Sequence, residues 1–311
     1  MVRKQQKIKE IDVKKTGRLT KYWPLCLMII PGVLHLMAFR IIPLFGSVIA
    51  FMDYSVFRPL LQSPWVGLKH FSAAFGSPAF SRVFSNTLIL GSLNILVVFP
   101  VPIILSLMLN EVRNRYVKKG IQTVITIPYF LSWVIVAGLA FDFFSTHGIF
   151  NIVRDWLGLE PILVMQESKY FRAVYAFTAL WRDAGWKTIV YLAAISTMDS
   201  QIYESAMVDG ASRFRQIISI TLPLLLPTAV TLLLLQVGNF ITLGFDHVYN
   251  ILTPMTFSTG DIIDTFVYRT GLQEARYSYA SAIGLFQSVI GLFMILICNA
   301  LSKKYTDGGL W

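Results

Sequence analysis

Six runs of about twenty or more mostly apolar residues, the length that carries a helix across a bilayer core, divide this sequence at 24–51, 84–109, 121–144, 171–195, 222–245 and 280–301. Such runs restrict the backbone severely, because in hydrocarbon every N–H and C=O must find its partner inside the protein. Of the 311 residues, 55% are hydrophobic and only 14% charged, too apolar for an ordinary soluble domain of this size. The expected fold is an all-α polytopic membrane protein of about six transmembrane helices. No internal repeat or linker divides it, so residues 1–311 are expected to form one membrane domain. The fourth run is the least apolar, since Arg182, Asp183 and Lys187 lie within it.

Charge sets the orientation. The net charge of +10 does not come from an aromatic-laced basic domain of the kind that binds nucleic acid; the cations sit between the apolar runs. The tail before the first run, the segments 110–120 and 196–221, and the C-terminal tail hold sixteen Lys and Arg, whereas the alternate loops hold seven. By the positive-inside rule the first set is cytoplasmic, which puts both termini there, together with the basic tail 1–23 and the loop 196–221. The apolar run after that tail is too long for a cleaved secretory signal and reads as an uncleaved anchor. The external loops 52–82, 145–170 and 246–279 are long enough for short caps, with Trp65, Trp156 and Tyr249 suited to an interfacial belt. Cys26 and Cys298 lie inside apolar runs with no metal or redox spacing, and His35, His70, His147 and His247 are scattered as packing or interfacial residues are.

The loop 196–221 and the start of the fifth run hold the most specific pattern in the chain. It reads Tyr203-Glu204-Ser205-Ala206-Met207-Val208-Asp209-Gly210-Ala211, then a spacer with Arg213, Phe214 and Arg215, then Ile220-Thr221-Leu222-Pro223. Asp199 or Ser200 can cap a first helix, because a side-chain oxygen accepts from the free N–H groups of the first turn. Ile202, Tyr203, Ala206 and Met207 then share one face. Gly210 is expected to end that helix in a backbone conformation that glycine adopts without penalty. Ser212 can cap a second helix with Phe214, Ile217 and Ile218 as its buried side, and Pro223 and Pro227 mark its passage into the fifth span.

This spacing resembles the Glu-Ala-Ala loop of ABC importer permeases: Glu-Ala-Ala, three residues, Gly, nine residues, Ile-x-Leu-Pro. Ser205 stands where the family has Ala, a small-for-small exchange. The resemblance implies that Glu204 and Gly210 carry the contact with a cytoplasmic ATPase subunit, and that the loop is its docking elbow. Further stretches resemble the branch that imports oligosaccharides and polysaccharide fragments: Phe39-Arg40-Ile41-Ile42-Pro43, Ser63-Pro64-Trp65-Val66-Gly67-Leu68, Leu109-Asn110-Glu111-Val112-Arg113-Asn114, Phe130-Leu131-Ser132-Trp133-Val134-Ile135 and Gly308-Gly309-Leu310-Trp311. The likeness is nearest to polysaccharide-type permeases, which include an alginate importer, and more distant to maltose permeases. It implies a second related permease subunit, two ATPase subunits, an extracytoplasmic solute-binding protein and a glycan moving by alternating access. ATP and Mg would be used by the ATPase alone, with no cofactor or metal on this chain. The sequence itself agrees: it contains no Gly-Lys pair, hence no phosphate-cradling loop, and no His-Glu-x-x-His or Gly-x-Ser-x-Gly motif.

A substrate path is expected on the spans flanking the elbow. The fourth run carries Trp181, Arg182, Asp183, Trp186 and Lys187, and Asp183, Trp186 and Lys187 share one helical face. The fifth offers Gln236, Asn239 and Phe240 at matching depth. Charges at the bilayer centre cost roughly 2.5–3.5 kcal/mol each, so they face a cavity or a partner. Amides, carboxylates and flat aromatic faces are what sugars need, and the excess of cations favours an acidic glycan. Two readings stay open: Arg182 and Asp183, adjacent and pointing to different faces, touch substrate or pair with other helices. Arg40 likewise snorkels, pairs or binds. Pro100, Pro102 and Pro128 either let the spans rock or reflect irregular packing. Rival functions are an importer of another solute, an intramembrane lipid-linked sugar transferase using Asp183 or Asp142, and a passive channel.

Overall fold

The computed structural model describes residues 22–305; the basic tail before them and the terminal Gly308-Gly309-Leu310-Trp311 stretch lie outside the described residues. The backbone forms two compact units, one up to Val48 and one from Ile49 onward. In the first, α1 (Trp23–Leu36) runs through Pro31 into a π-turn, Met37–Ile41, and then α2 (Ile42–Gly46).

The second unit is helical throughout. Among the described residues its extended pairing is limited to one isolated β-bridge, Met52 to Trp65. In order come α3 (Lys69–Phe75), α4 (Pro78–Leu93), α5 (Pro100–Glu111), α6 (Arg115–Thr126), α7 (Trp133–Phe143), α8 (Ile149–Trp156) and α9 (Ser168–Ser196). Then follow α10 (Ser200–Val208), α11 (Arg213–Gln216), α12 (Leu222–Gly238), α13 (Phe245–Ile251), α14 (Phe257–Gly260), α15 (Ile263–Tyr268) and α16 (Tyr277–Tyr305). The short helices α3, α8 and α13 to α15 occupy the three loops expected to form caps.

Among the described residues, four helical stretches are long and apolar enough to cross a membrane: Leu27–Phe51, Pro78–Glu111, Arg213–Gly238 and Tyr277–Leu301. The third and fourth expected spans differ from simple apolar rods. The third is broken into Arg115–Phe130 and Trp133–Phe143, bent by 104°. Pro128 opens the last turn into a 3-10 helix, Leu131 is extended, and Ser132 accepts from Ile135 N to cap α7. The fourth is one 29-residue helix, α9, roughly 43 Å long at 1.5 Å per residue. Its length suffices, and its charges are what set it apart.

Proline also controls helix register. Pro43, Pro100 and Pro223 each follow a π-turn by two residues, and the amide just before each proline reaches back five residues, Ile42 to Met37, Phe99 to Asn94 and Leu222 to Ile217. A proline ring crowds the carbonyl four residues earlier and supplies no N–H. Widening the preceding turn relieves that crowding without breaking the helix.

The core gathers around α9. Phe171, Val174 and Tyr175 pack with Leu90, Ala137, Ala140 and Ile251 near its start, and Tyr191 and Ile195 pack with Leu225 and Ala229 near its end. Gly185 lets α9 approach the Ile125 carbonyl so closely that a Cβ there would overlap it.

Candidate functional site

Two features in the second unit carry the expected site residues: an elbow at 199–223 and a polar cleft between α4, α9 and α12. At the elbow, Asp199 Oδ1 accepts from Gln201 N at 2.9 Å and starts α10. The helix ends at Gly210, whose φ is +75°. Ala211 N donates to Ala206 O at 2.9 Å and Gly210 N to Met207 O at 3.1 Å, the paired bonds of a Schellman turn. The left-handed glycine and both bonds belong to one motif. Ser212 then accepts from Arg215 N to cap α11, and Gln216, which is buried, donates from Nε2 to Ala211 O at 2.9 Å. The chain reverses rigidly, with the interior of the turn closed by a side chain.

Each residue of the motif has a defined place. Asp209 N donates to Ser205 O, and Ser205 Oγ to Gln201 O at 2.9 Å, so its hydroxyl is absorbed within its own helix. Tyr203 turns inward, its hydroxyl 3.0 Å from Thr221 Oγ1 and 3.3 Å from Met198 Sδ. Glu204 lines a cleft of about 350 Å³ with Asn110, Glu111, Met207, Arg213 and Thr221. Ile220 and Leu222 are half-buried and Pro223 is exposed. Of the expected buried side after Ser212, Ile217 is half-buried, but Phe214 is 71% and Ile218 48% exposed, and the fully buried residue of α11 is Gln216. The elbow uses an amide to hold its own shape, which leaves Phe214, Met207 and Val208 as an apolar outer surface.

The expected substrate residues divide into three groups. Lys187, Gln236, Asn239 and Phe240 do meet, lining a cleft of about 270 Å³ with Gly91 and Asn94. Gln236 Nε2 donates to Asn94 O and Oδ1, both at 3.1 Å, and Asn94 Nδ2 donates to the Tyr175 hydroxyl at 3.2 Å. Asn94 and Tyr175 were not expected there. An amide deep inside the second apolar run, with a second at Asn86 near its start, is the available signal, since a polar group at membrane depth faces a cavity or partner.

Arg182 and Asp183 do not point to different faces. They pair at 2.7 Å, and Arg182 Nε donates to Leu131 O at 3.0 Å, at the break of the third span. The Arg182 guanidinium also lies over Trp133, 4.4 Å from the ring centroid. A long side chain bridges neighbouring positions that backbone periodicity alone separates. Trp186 stacks on Tyr129 at 4.9 Å, and Trp181 lines a separate apolar cleft with Phe143 and Phe177. The stack continues behind Trp133, where buried His247 lies 3.7 Å from the Trp133 centroid and 4.5 Å from that of Tyr175, with Nε2 2.8 Å from Thr178 Oγ1. His247 is packed, as its scattered position in the sequence implied.

A helical, multiply apolar chain with a glycine-turned elbow at one end and a polar cleft among its long helices is built as a membrane transport subunit. Residues 100–307 match the family model described as binding-protein-dependent transport system inner membrane component, and the chain belongs to that family. It is 43% identical over 99% of its length and 95% of the relative's to the Bacillus subtilis (strain 168) polygalacturonan/rhamnogalacturonan transport system permease protein YteP. It is 42% identical, over 92% of this chain and 91% of the other, to protein LplB of the same organism. A crystal structure of a bacterial alginate ABC transporter, in complex with alginate pentasaccharide-bound periplasmic protein, includes a chain that superimposes with a TM-score of 0.88 at 37% identity, over 96% of this chain and 100% of that one. The protein is thus a multi-pass permease subunit of the inner membrane and not an enzyme.

Proposed function

We propose that this permease moves an oligo- or polysaccharide inward across the cytoplasmic membrane by alternating access, as one domain over its whole length. The observation that carries the reading is the elbow. Its capped helix, Schellman turn and Gln216 closure form a stiff body that a partner can push as one piece. In this reading an ATPase subunit with ATP and Mg grips Glu204, Gly210 and the outer apolar surface around Phe214. A second ATPase and a second related permease complete the membrane assembly, and an extracytoplasmic binding protein delivers the glycan. The charge distribution supports cytoplasmic termini and a cytoplasmic elbow.

The glycan passes the cleft of Lys187, Gln236, Asn239 and Phe240. Lys187 offers an ammonium to an acidic sugar, and the two amides offer hydrogen bonds to hydroxyls. The names of YteP and of the alginate transporter point to acidic polysaccharides, which agrees with a cationic cleft. Arg182 and Asp183 serve the bend of the third span rather than the substrate.

The test is ATPase activity of the copurified complex in lipid, with its binding protein, challenged with acidic and neutral oligosaccharides. Stimulation by acidic oligomers, lost in Glu204→Lys, is the expected outcome. No copurifying ATPase, or turnover indifferent to every sugar, would overturn the reading.

A further inference from the structure

Helix α6 turns its polar side toward the protein and its apolar side outward. Thr126 is buried and Lys118 and Gln122 are half-buried, whereas Tyr116, Val117 and Val124 are exposed, Val124 at 67%. In water that arrangement is unfavourable; against acyl chains it is the stable one. The stripe overlaps the start of the third apolar run at 121, so the same surroundings cover both up to the break at Leu131.

Around the first turn of the same helix stand Arg113, Arg115, Lys118 and Lys119; Arg113, Arg115 and Lys119 are exposed, and Lys118, on the side of Gln122 and Thr126, is half-buried. Among the described residues none of the four makes an ion pair. The carboxylate nearest in sequence, Glu111, lines the elbow cleft together with Asn110, Tyr203 and Glu204. The cations therefore lie at the elbow end of the molecule. Asn114 fixes their backbone, its Oδ1 accepting from Tyr116 N at 2.9 Å and Val117 N at 3.3 Å.

We propose that Arg113, Arg115, Lys118 and Lys119 form a docking patch for anionic phospholipid headgroups of the leaflet on the elbow side, with Tyr116, Val117 and Val124 among the acyl chains. Guanidinium and ammonium groups donate to the phosphate oxygens, and clustered cations beside a membrane helix draw acidic lipid from its neutral neighbours. A lipid layer supplies both partners, anionic headgroups for the cations around the first turn and hydrocarbon for the outward apolar side. A water-soluble partner matches only the first.

The complete transporter, purified with all its subunits from membranes holding both lipids, is analysed by native mass spectrometry for retained phosphatidylglycerol against phosphatidylcholine. Wild type is expected to retain phosphatidylglycerol preferentially. R113Q/R115Q and K118Q/K119Q are each expected to lower that preference by roughly tenfold or more, while R58Q/K69Q, at another loop, leaves it unchanged. Should a pair variant fail to insert, R115Q and K119Q alone read the same ratio with about fivefold loss. Unchanged retention in the variants would overturn the proposal. So would loss of the ATPase subunits from R113Q/R115Q with lipid retention intact, which would assign the patch to a protein partner.

Discussion

The Tyr203 hydroxyl lies 3.0 Å from the Thr221 hydroxyl, joining the first helix of the elbow to the last residue of the π-turn that opens the fifth span. Thr221 is buried and Tyr203 half-buried, and the contact forms part of the wall of the elbow cleft. Under the proposed coupling, a push on α10 would pass through this contact to a helix segment whose register is already widened.

Removing either hydroxyl should weaken that delivery. Tyr203→Phe and Thr221→Val each delete about 1 kcal/mol of hydrogen bonding, roughly a fivefold change in a coupled equilibrium. Glycan-stimulated ATP turnover in proteoliposomes is expected to fall several-fold in each, with the ATPase subunits still bound. The double variant should fall no further than the worse single one, because both remove the same contact. Additive losses would place the two hydroxyls in separate roles.

Gly210→Pro attacks the elbow differently. Proline fixes φ near −65° and has no N–H, whereas Gly210 needs φ of +75° and donates to Met207 O. The Schellman turn cannot form. We expect normal membrane insertion and loss of substrate-stimulated ATPase, together with weakened copurification of the ATPase. Full stimulation in an inserted Gly210→Pro protein would remove the elbow from the coupling route.

The fate of the charged cluster in α9 separates substrate contact from architecture. In the cleft, Lys187→Met should raise the glycan concentration needed for half-maximal ATPase stimulation by about tenfold, the scale of a lost charged hydrogen bond, and Gln236→Leu by about fivefold, that of a neutral one. Arg182→Met should instead lower thermal stability by about 2 kcal/mol, since it leaves Asp183 and the Leu131 carbonyl without their charged partner. Detergent-solubilised melting curves read the second effect, and transport assays the first. A glycan-affinity change in Arg182→Met without any stability loss would return Arg182 to the substrate path.

Much of this was legible in the chain because the relevant signals are local. Asp199, Gly210 and Ser212 cap and turn the elbow through atoms within a few residues of each other, so their spacing carries the geometry. Lys187 and Gln236 meet as expected because each is a polar group in an apolar run, with few places to go. For Arg182 the pattern leaves two roles open for the opposite reason. Its partners include Leu131, fifty-one positions away, and helical periodicity fixes where a Cβ points but not where a guanidinium several bonds further out ends. The exposed Phe214 is a related case: apolar character says that a side chain leaves water in the finished assembly, not that its own chain covers it.

Gly185 sets the spacing between α9 and the end of α6. Its position faces the Ile125 carbonyl, a backbone atom that cannot swing away. Gly185→Leu is therefore expected to separate the two helices and reduce the inserted, assembled complex at least tenfold, seen as loss of the monodisperse peak in size-exclusion chromatography. Gly138→Ala in α7, where nothing lies within 4 Å of the added Cβ, should assemble normally. Normal assembly of Gly185→Leu would mean that the helices are not held at this distance.

Pro223 offers the most direct test of how proline shapes these spans. In Pro223→Ala the ring no longer crowds the Ser219 carbonyl, and a new N–H becomes available to it, so an ordinary α-turn can replace the π-turn at Ile217–Thr221. Drawing the turn in by one hydrogen-bond register rotates everything N-terminal to it, and so moves Tyr203 relative to Thr221. Amide hydrogen exchange around residues 219–224 should slow, because the helix gains a bond. Coupling should fall at the same time, because the 3.0 Å contact between Tyr203 and Thr221 depends on the widened register. Slower exchange with undiminished coupling would mean that the elbow acts on the fifth span by another contact; unchanged exchange would mean that the π-turn is held by packing around buried Gln216 and Thr221 rather than by the proline.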